Sequence, residues 1–199
     1  MRSASVASGA NSRHNSGAMA FRPQQLYHLE HLGEAAGFAE KLRALIPKCA
    51  LLENFSAAEV RMLAQFMDVY RAAPAEEVIR EGDGGDFMLM ILEGRVEVRK
   101  LDQWNTPREL AVVEAGKTLG GMSMIDGEGR FATCVALEPT LVAVLGREDL
   151  ARIVLEQPML GAKILMELVL MLSQRLRATS DRLVGRLDAT EPRSTEAVS

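Results

Sequence analysis

Cysteine is scarce in this sequence. Cys49 and Cys134 are the only two in 199 residues, and they show no CxxC spacing. That excludes a disulfide-stapled scaffold and a four-cysteine zinc or iron–sulfur site, and it reads as two buried free thiols. Histidine is equally thin: His14, His28 and His31 all lie near the N-terminus. With no histidine after His31, the clustered ligands that a cupin-type metalloenzyme or a haem sensor needs are missing. His28 and His31 stand three apart, a spacing that would put both on one helix face, but no third ligand accompanies them. The longest apolar runs, at 87–92 and 168–172, are far short of the roughly 20 residues of a membrane-spanning helix. A large charge of either sign is also absent. The formal net charge is −4, which gives no bulk attraction to nucleic acid or to an anionic membrane.

Acidic residues are absent before Glu30, and the first twenty residues are rich in Ser, Ala and Gly. Such a segment buries too little apolar surface to offset its ordering entropy. It reads as a disordered tail, covering 1–22, or as a start placed upstream of Met19. Arg2 and Arg13 among serines also match the composition of an organelle transit peptide, whereas the lack of an apolar h-region excludes a secretory signal.

What is present is ample apolar material, 48% of the chain, enough for one domain with extra helices or a tail. Leu26, Leu29, Phe38, Leu42 and Leu45 lie at approximate helical spacings, weakened by Gly33 and Gly37 and ended by Pro47. In "NFSAAEVRMLAQFMDVY", Ser56 is an N-cap with Glu59 three residues on, a capping box, and Leu63, Phe66 and Met67 supply the buried face. A β region follows. "EEVIREGDGGDFMLMILEGRVEVRK" alternates at its end, with Val96 and Val98 facing in and Glu97 and Arg99 out, and "GDGGD" is turn chemistry. "RELAVVEAGK", "RFATCVAL" and "TLVAVLG" continue a series of short strands, the pattern of a barrel or sandwich. After Arg147 the period returns to helical, through "REDLARIVLEQ" and then a long helix from about Met159 to Val184.

Helices, then strands with "IREGD", "ILEGRVEV" and "LGGMSMIDGEGRFAT", then a long helix: over about 45–184 this order resembles the cyclic nucleotide-binding domain. That domain is shared by bacterial catabolite activators, the regulatory subunits of cyclic-AMP-dependent kinase and gated channels. The resemblance implies an α+β fold, an antiparallel β jelly-roll barrel flanked by N-terminal helices and a long C-terminal helix. It places N-terminal helices and barrel at 23–158, a dimerisation helix at 159–186 and a disordered tail at 187–199.

The stretch at 119–134 crowds four glycines around one arginine. A guanidinium fork suits phosphate oxygens, and glycines let backbone N–H groups approach an anion. The family's phosphate cassette maps onto Gly120, Gly121, Met122 and Ser123, then Arg130, Phe131, Ala132 and Thr133. The resemblance implies that Arg130 pairs with the cyclic phosphate, with Met122, Ser123, Phe131 and Ala132 around it and Gly120 and Gly121 on the ribose side. One departure stands out. The family's Glu, which accepts a hydrogen bond from the ribose 2′-hydroxyl, is Gly121 here. Losing a bond to a charged group costs about 1.5–3 kcal/mol, roughly 10- to 150-fold in affinity.

Thr179 and Ser180 sit where catabolite activators place a Thr-Ser pair that reaches adenine, the Ser from the partner subunit. With Thr133 they are the base-reading candidates. Leu165, Leu168, Leu172, Leu176, Thr179 and Leu183 make a stripe with the signature of helix pairing, hence an expected homodimer. Only "RLDATEPRSTEAVS" follows Gly185, with no DNA-reading helix-turn-helix. The expectation is a cytoplasmic, non-enzymatic sensor with no cofactor and no metal. Its ligand would be cyclic AMP or a related cyclic nucleotide. It would contact neither nucleic acid nor membrane, and would act through an unknown effector protein. The alternative is a degenerate relative that serves as a scaffold, or that takes another phosphate ligand such as cyclic di-GMP.

Overall fold

The computed structural model describes residues 23–190, with side chains through Val184. Two antiparallel sheets face each other. The first has the order β1-β2-β9-β4-β7, from β1 (Glu30–Glu34), β2 (Asp68–Ala72), β9 (Thr140–Gly146), β4 (Phe87–Glu93) and β7 (Thr118–Leu119). The second has the order β3-β8-β5-β6, from β3 (Glu77–Ile79), β8 (Thr133–Ala136), β5 (Arg95–Leu101) and β6 (Pro107–Glu114). The sheets share no strand, so the jelly roll is an open sandwich rather than a closed barrel.

The continuous apolar run at 87–92 now has its reason. β4 is central and buried on both faces, and successive side chains point to opposite sides. Phe87, Leu89 and Ile91 join Tyr70, Val78, Val96, Leu119, Cys134 and Val142 between the sheets. Met88, Met90 and Leu92 join the helices on the other side, with Leu63, Leu150, Ile153, Leu160, Ile164 and Leu168.

The helices are α1 (Ala39–Ala44), α2 (Ala57–Ala64), α3 (Gly121–Asp126), α4 (Arg147–Glu156) and α5 (Pro158–Thr190). The capping box of α2 is complete: Glu59 N–H donates to Ser56 Oγ at 3.3 Å, and Ser56 N–H donates to Glu59 Oε2 at 2.7 Å. The helical reading of 26–45 holds only at its end. Residues 30–34 pair with β2 instead, and the register slips between His31 and Gly33, which has φ +99°. Edge pairing and a glycine in left-handed conformation override a weak helical pattern. His28 and His31 therefore share no helix face. His28 Nε2 lies 2.9 Å from the Glu77 carbonyl, and His31 Nε2 lies 3.0 Å from Asp68 Oδ1. His14 lies outside the described residues.

Along α5, Leu160, Ile164 and Leu168 face the core. Leu168 is 3% exposed, whereas Val169 is 65% and Leu176 69% exposed. The outward row is therefore Leu165, Val169, Leu172, Leu176, Thr179 and Leu183, in alternating four- and three-residue steps, with Leu172 half-buried and the others exposed. Leu168 belongs to the domain's own packing and not to the row.

Candidate functional site

β7 ends at Leu119, and Gly120, with φ of +79°, turns the chain into α3. The Gly120 carbonyl accepts two hydrogen bonds, from Met124 N–H at 3.2 Å and from Arg130 Nη1 at 3.0 Å. After α3 the chain returns past the 82–86 turn. There Arg130 N–H donates to the Asp83 carbonyl at 2.8 Å, and Gly82 N–H donates to the Arg130 carbonyl at 2.9 Å. Both backbone groups of Arg130 are thus fixed by the "GDGGD" turn.

The Arg130 side chain runs inward, with its guanidinium 4.2 Å from the centre of the Phe87 ring and the residue 3% exposed. Its Nε and Nη2 are buried with no hydrogen-bond partner among the described residues. Burial pushes the Arg130 pKa down, and the nearby Asp86, Cys134 and Asp83 oppose that shift. A desolvated guanidinium with two unmet donors is costly. An oxyanion meeting both donors at once offsets that cost through charge-assisted bonds. Burial likewise pushes the Cys134 thiol up to about 12, against the fields of Arg130 and Arg175, so Cys134 is an inert neighbour and not a nucleophile.

The other sequence candidates fall as follows. Ser123 is buried and its Oγ donates to the Gly129 carbonyl at 3.3 Å, bracing the loop below Arg130. Thr133 Oγ1 accepts from Glu81 N–H at 3.0 Å. Ala132 is buried, while Met122 and Phe131 are exposed. Gly121 lies outside the left-handed region, and a Cβ there would meet only Leu168 Cδ2, at 3.8 Å. Thr179 and Ser180 stand exposed on α5, with Thr179 Oγ1 donating to the Arg175 carbonyl at 2.9 Å. At 1.5 Å per residue they lie about 16 Å beyond Leu168 along the helix.

Two residues escaped the sequence reading. Arg147, the first residue of α4, donates from Nη2 to the Ser123 carbonyl at 2.9 Å and to the Gly85 carbonyl at 3.2 Å, pinning α3 and the 82–86 turn to α4. No pattern announces it. Lys100 donates to Glu81 Oε1 at 2.8 Å and to the Phe131 carbonyl at 2.7 Å. Its signal was legible, since it continues the inward row of Val96 and Val98.

Comparison with known proteins gives this arrangement its context. The family model described as "Cyclic nucleotide-binding domain" matches residues 70–157, which contain the whole 119–134 stretch. The crystal structure of a cyclic nucleotide-binding domain from Methylobacillus flagellatus is 38% identical and superposes with a TM-score of 0.74, covering 83% of this chain and 97% of that one. The chain belongs to the cyclic nucleotide-binding domain family.

This cyclic nucleotide-binding domain is also similar to the cyclic AMP receptor protein of Thermus thermophilus, 25% identical over 64% of this chain and 57% of that protein. A cGMP-dependent protein kinase of Caenorhabditis elegans is 28% identical over 57% of this chain, but the chain spans only 15% of that kinase's length. The family's fold is regulatory and not catalytic. Among the described residues, no helix is long and apolar enough to cross a membrane, and no group of three His, Cys, Asp or Glu is placed to hold a metal ion.

Proposed function

We propose that this cyclic nucleotide-binding domain is a sensor of cyclic AMP that signals to an effector protein in the cytoplasm through α5. The observation that carries the reading is the buried Arg130 guanidinium with Nε and Nη2 unmet by the chain. A cyclic phosphodiester offers one negative charge and two non-bridging oxygens, which match two donors on one guanidinium fork. Arg130 holds the phosphate, and the Gly120–Ser123 backbone lies beside it. Thr179 and Ser180 are short hydroxyls on α5, able to accept from an exocyclic amine. Ser180 reaches the base from the partner copy, when α5 of a second copy pairs along Leu165, Val169, Leu172, Leu176, Thr179 and Leu183. A homodimer is therefore part of the proposal.

Gly121 favours a second reading. It removes the carboxylate that would hold a ribose 2′-hydroxyl, which fits a different phosphate ligand such as cyclic di-GMP, or a scaffold that binds none. Calorimetric titration of the purified chain with cyclic AMP, cyclic GMP and cyclic di-GMP separates these. Saturable binding of cyclic AMP at one per chain is expected. Binding of cyclic di-GMP alone selects the second ligand, and binding of none overturns the sensor.

A further inference from the structure

The turn that carries Arg130 is held from three sides. Residues 82–86 include three glycines, Gly82, Gly84 and Gly85, so the segment has little stiffness of its own. Arg130 takes its first two residues, donating N–H to the Asp83 carbonyl and accepting from Gly82 N–H. Arg147 takes the last two, with Nη2 on the Gly85 carbonyl at 3.2 Å and its N–H on the Asp86 carbonyl at 2.7 Å. The middle residue, Gly84, is held by a side chain remote in sequence: Gln25 Nε2 donates to its carbonyl at 2.6 Å. The other end of that amide, Oε1, is buried with no hydrogen-bond partner among the described residues, so the amide works through its donor end alone.

Gln25 belongs to a short 3-10 turn, Gln24–Leu26, that is itself well anchored. Leu26 is fully buried and joins Leu29 in the core between the sheets, and His28 Nε2 lies against the Glu77 carbonyl of β3. Gln25 thus ties a fixed point of the fold to the one residue of the turn that neither Arg130 nor Arg147 holds. Phe87, whose ring lies under the Arg130 guanidinium, directly follows the turn. A shift of the turn therefore moves both the backbone of Arg130 and the ring beneath its side chain. Gln25 lies outside residues 70–157, the stretch that matches the family model.

We infer that Gln25 is a positioning residue for the anion site: through Gly84 it fixes the turn that sets where the Arg130 guanidinium meets a phosphate. The inference rests on the cyclic-nucleotide reading above. Donors already in place bind an anion without the entropy cost of ordering them, so a looser turn weakens binding although Gln25 acts at one remove.

The test compares wild type with Gln25→Ala and Gln25→Glu by calorimetry, with cyclic AMP, cyclic GMP and cyclic di-GMP as probes. Gln25→Ala is expected to weaken whichever of the three binds wild type about two- to tenfold, the span of one hydrogen bond. Gln25→Glu keeps the shape and sets a carboxylate against a carbonyl oxygen, so at pH 7.5 it should bind more weakly than Gln25→Ala. The facing carbonyl favours the protonated carboxyl, which can donate to Gly84 as the amide does. As pH falls from 7.5 to 4.5, the ratio of wild-type to Gln25→Glu affinity should therefore shrink, and the ratio for Gln25→Ala should stay constant. Circular dichroism at each pH identifies the folded samples, and if Gln25→Ala does not fold, the isosteric Gln25→Glu series decides alone. Wild-type affinity in the folded variants, whatever their thermal midpoints, overturns the positioning role and leaves Arg130 standing as the phosphate residue. A loss in Gln25→Glu that is the same at pH 7.5 and 4.5 overturns it as well. Failure of wild type to bind any of the three probes overturns the cyclic-nucleotide reading, and the positioning role with it.

Discussion

A Cβ placed on Gly120 would lie 2.5 Å from Nη1 of Arg130 and 3.1 Å from the Phe87 carbonyl oxygen. The guanidinium is held by the Gly120 carbonyl at 3.0 Å, so the residue that orients Arg130 is also the one that must carry no side chain. Its φ of +79° adds a second reason, since an L residue there is strained by about 1–3 kcal/mol. Gly120→Ala is expected to push Arg130 off its present position, lowering stability by about that amount and weakening cyclic-nucleotide binding at least tenfold. Denaturant midpoints and calorimetry on the same samples check both. A variant with wild-type affinity would show that Arg130 does not need this carbonyl.

Arg130 itself should behave as a functional and not a structural residue. Its burial with two unmet donors is a standing cost to the ligand-free fold, relieved only by an anion. Arg130→Met keeps volume against Phe87 and removes the unpaired charge. The ligand-free chain is expected to melt at the wild-type temperature or above it, while phosphate-ligand affinity falls at least tenfold. Clear destabilisation without loss of binding would mark Arg130 as part of the packing instead.

Much of this was legible in the residues, and the parts that were not have physical causes. The α2 cap was readable because Ser56 and Glu59 satisfy each other locally. Arg130 stood out because an isolated cation among glycines has few structural uses. β1 was hidden: its strand identity comes from pairing with β2, and its own sequence, broken by Gly33, leans weakly to helix. The α5 row was misplaced by one residue because Leu168 and Val169 are both apolar. Only the domain body, packing on Leu168, tells the two faces apart. Arg147 donates to carbonyls remote in sequence, from Ser123 and Gly85, and backbone acceptors leave no trace in composition.

Acid should weaken the junction of α2 and α5. Glu59 accepts from Lys163 Nζ at 2.9 Å and from Ser56 N–H, and these bonds, the Lys163 one foremost, lower its pKa from 4.5 to about 2. A depressed carboxylate pKa contributes stability that is complete above the unfolded value and is lost as pH falls through the folded one. The contribution of Glu59 should therefore fade between pH 4.5 and 2, and the pair is about one-third exposed, so the effect is small. In Glu59→Gln the denaturation midpoint at pH 7 should drop by an amount equivalent to about 0.5–1 kcal/mol, with a shallower acid limb in that window. Parallel pH profiles for the two proteins would remove Glu59 from the acid response.

The two neighbouring residues Leu168 and Val169 give opposite predictions. Val169 and Leu176 lie on the exposed row, so Val169→Glu with Leu176→Glu should leave the domain folded and abolish self-association. Light scattering at micromolar concentration should move from about twice the 21.7 kDa chain mass to that mass alone. Leu168→Ala instead removes a core contact, costing about 2–5 kcal/mol while the association of the folded fraction persists. A wild-type chain that stays at one chain mass with and without ligand would leave the row without a partner copy, and Ser180 without a route to a base.

Gly121 offers the sharpest test of the ligand. Its backbone lies outside the left-handed region, and a Cβ there would make one ordinary contact, 3.8 Å from Leu168 Cδ2. A side chain is therefore admissible at 121, in contrast to 120. If the pocket takes cyclic AMP and lacks only its ribose acceptor, Gly121→Glu should restore a charged hydrogen bond to the 2′-hydroxyl, worth about 1–3 kcal/mol after the cost of ordering the side chain. Affinity for cyclic AMP should rise roughly 5- to 150-fold, and affinity for 2′-deoxy cyclic AMP should not. Leu168 sets the competing outcome. If the longer side chain displaces it, the helical core loosens and the thermal midpoint falls, a change visible without ligand. A well-folded Gly121→Glu protein with no gain for cyclic AMP would mean that the glycine serves a ligand with no free hydroxyl at that place.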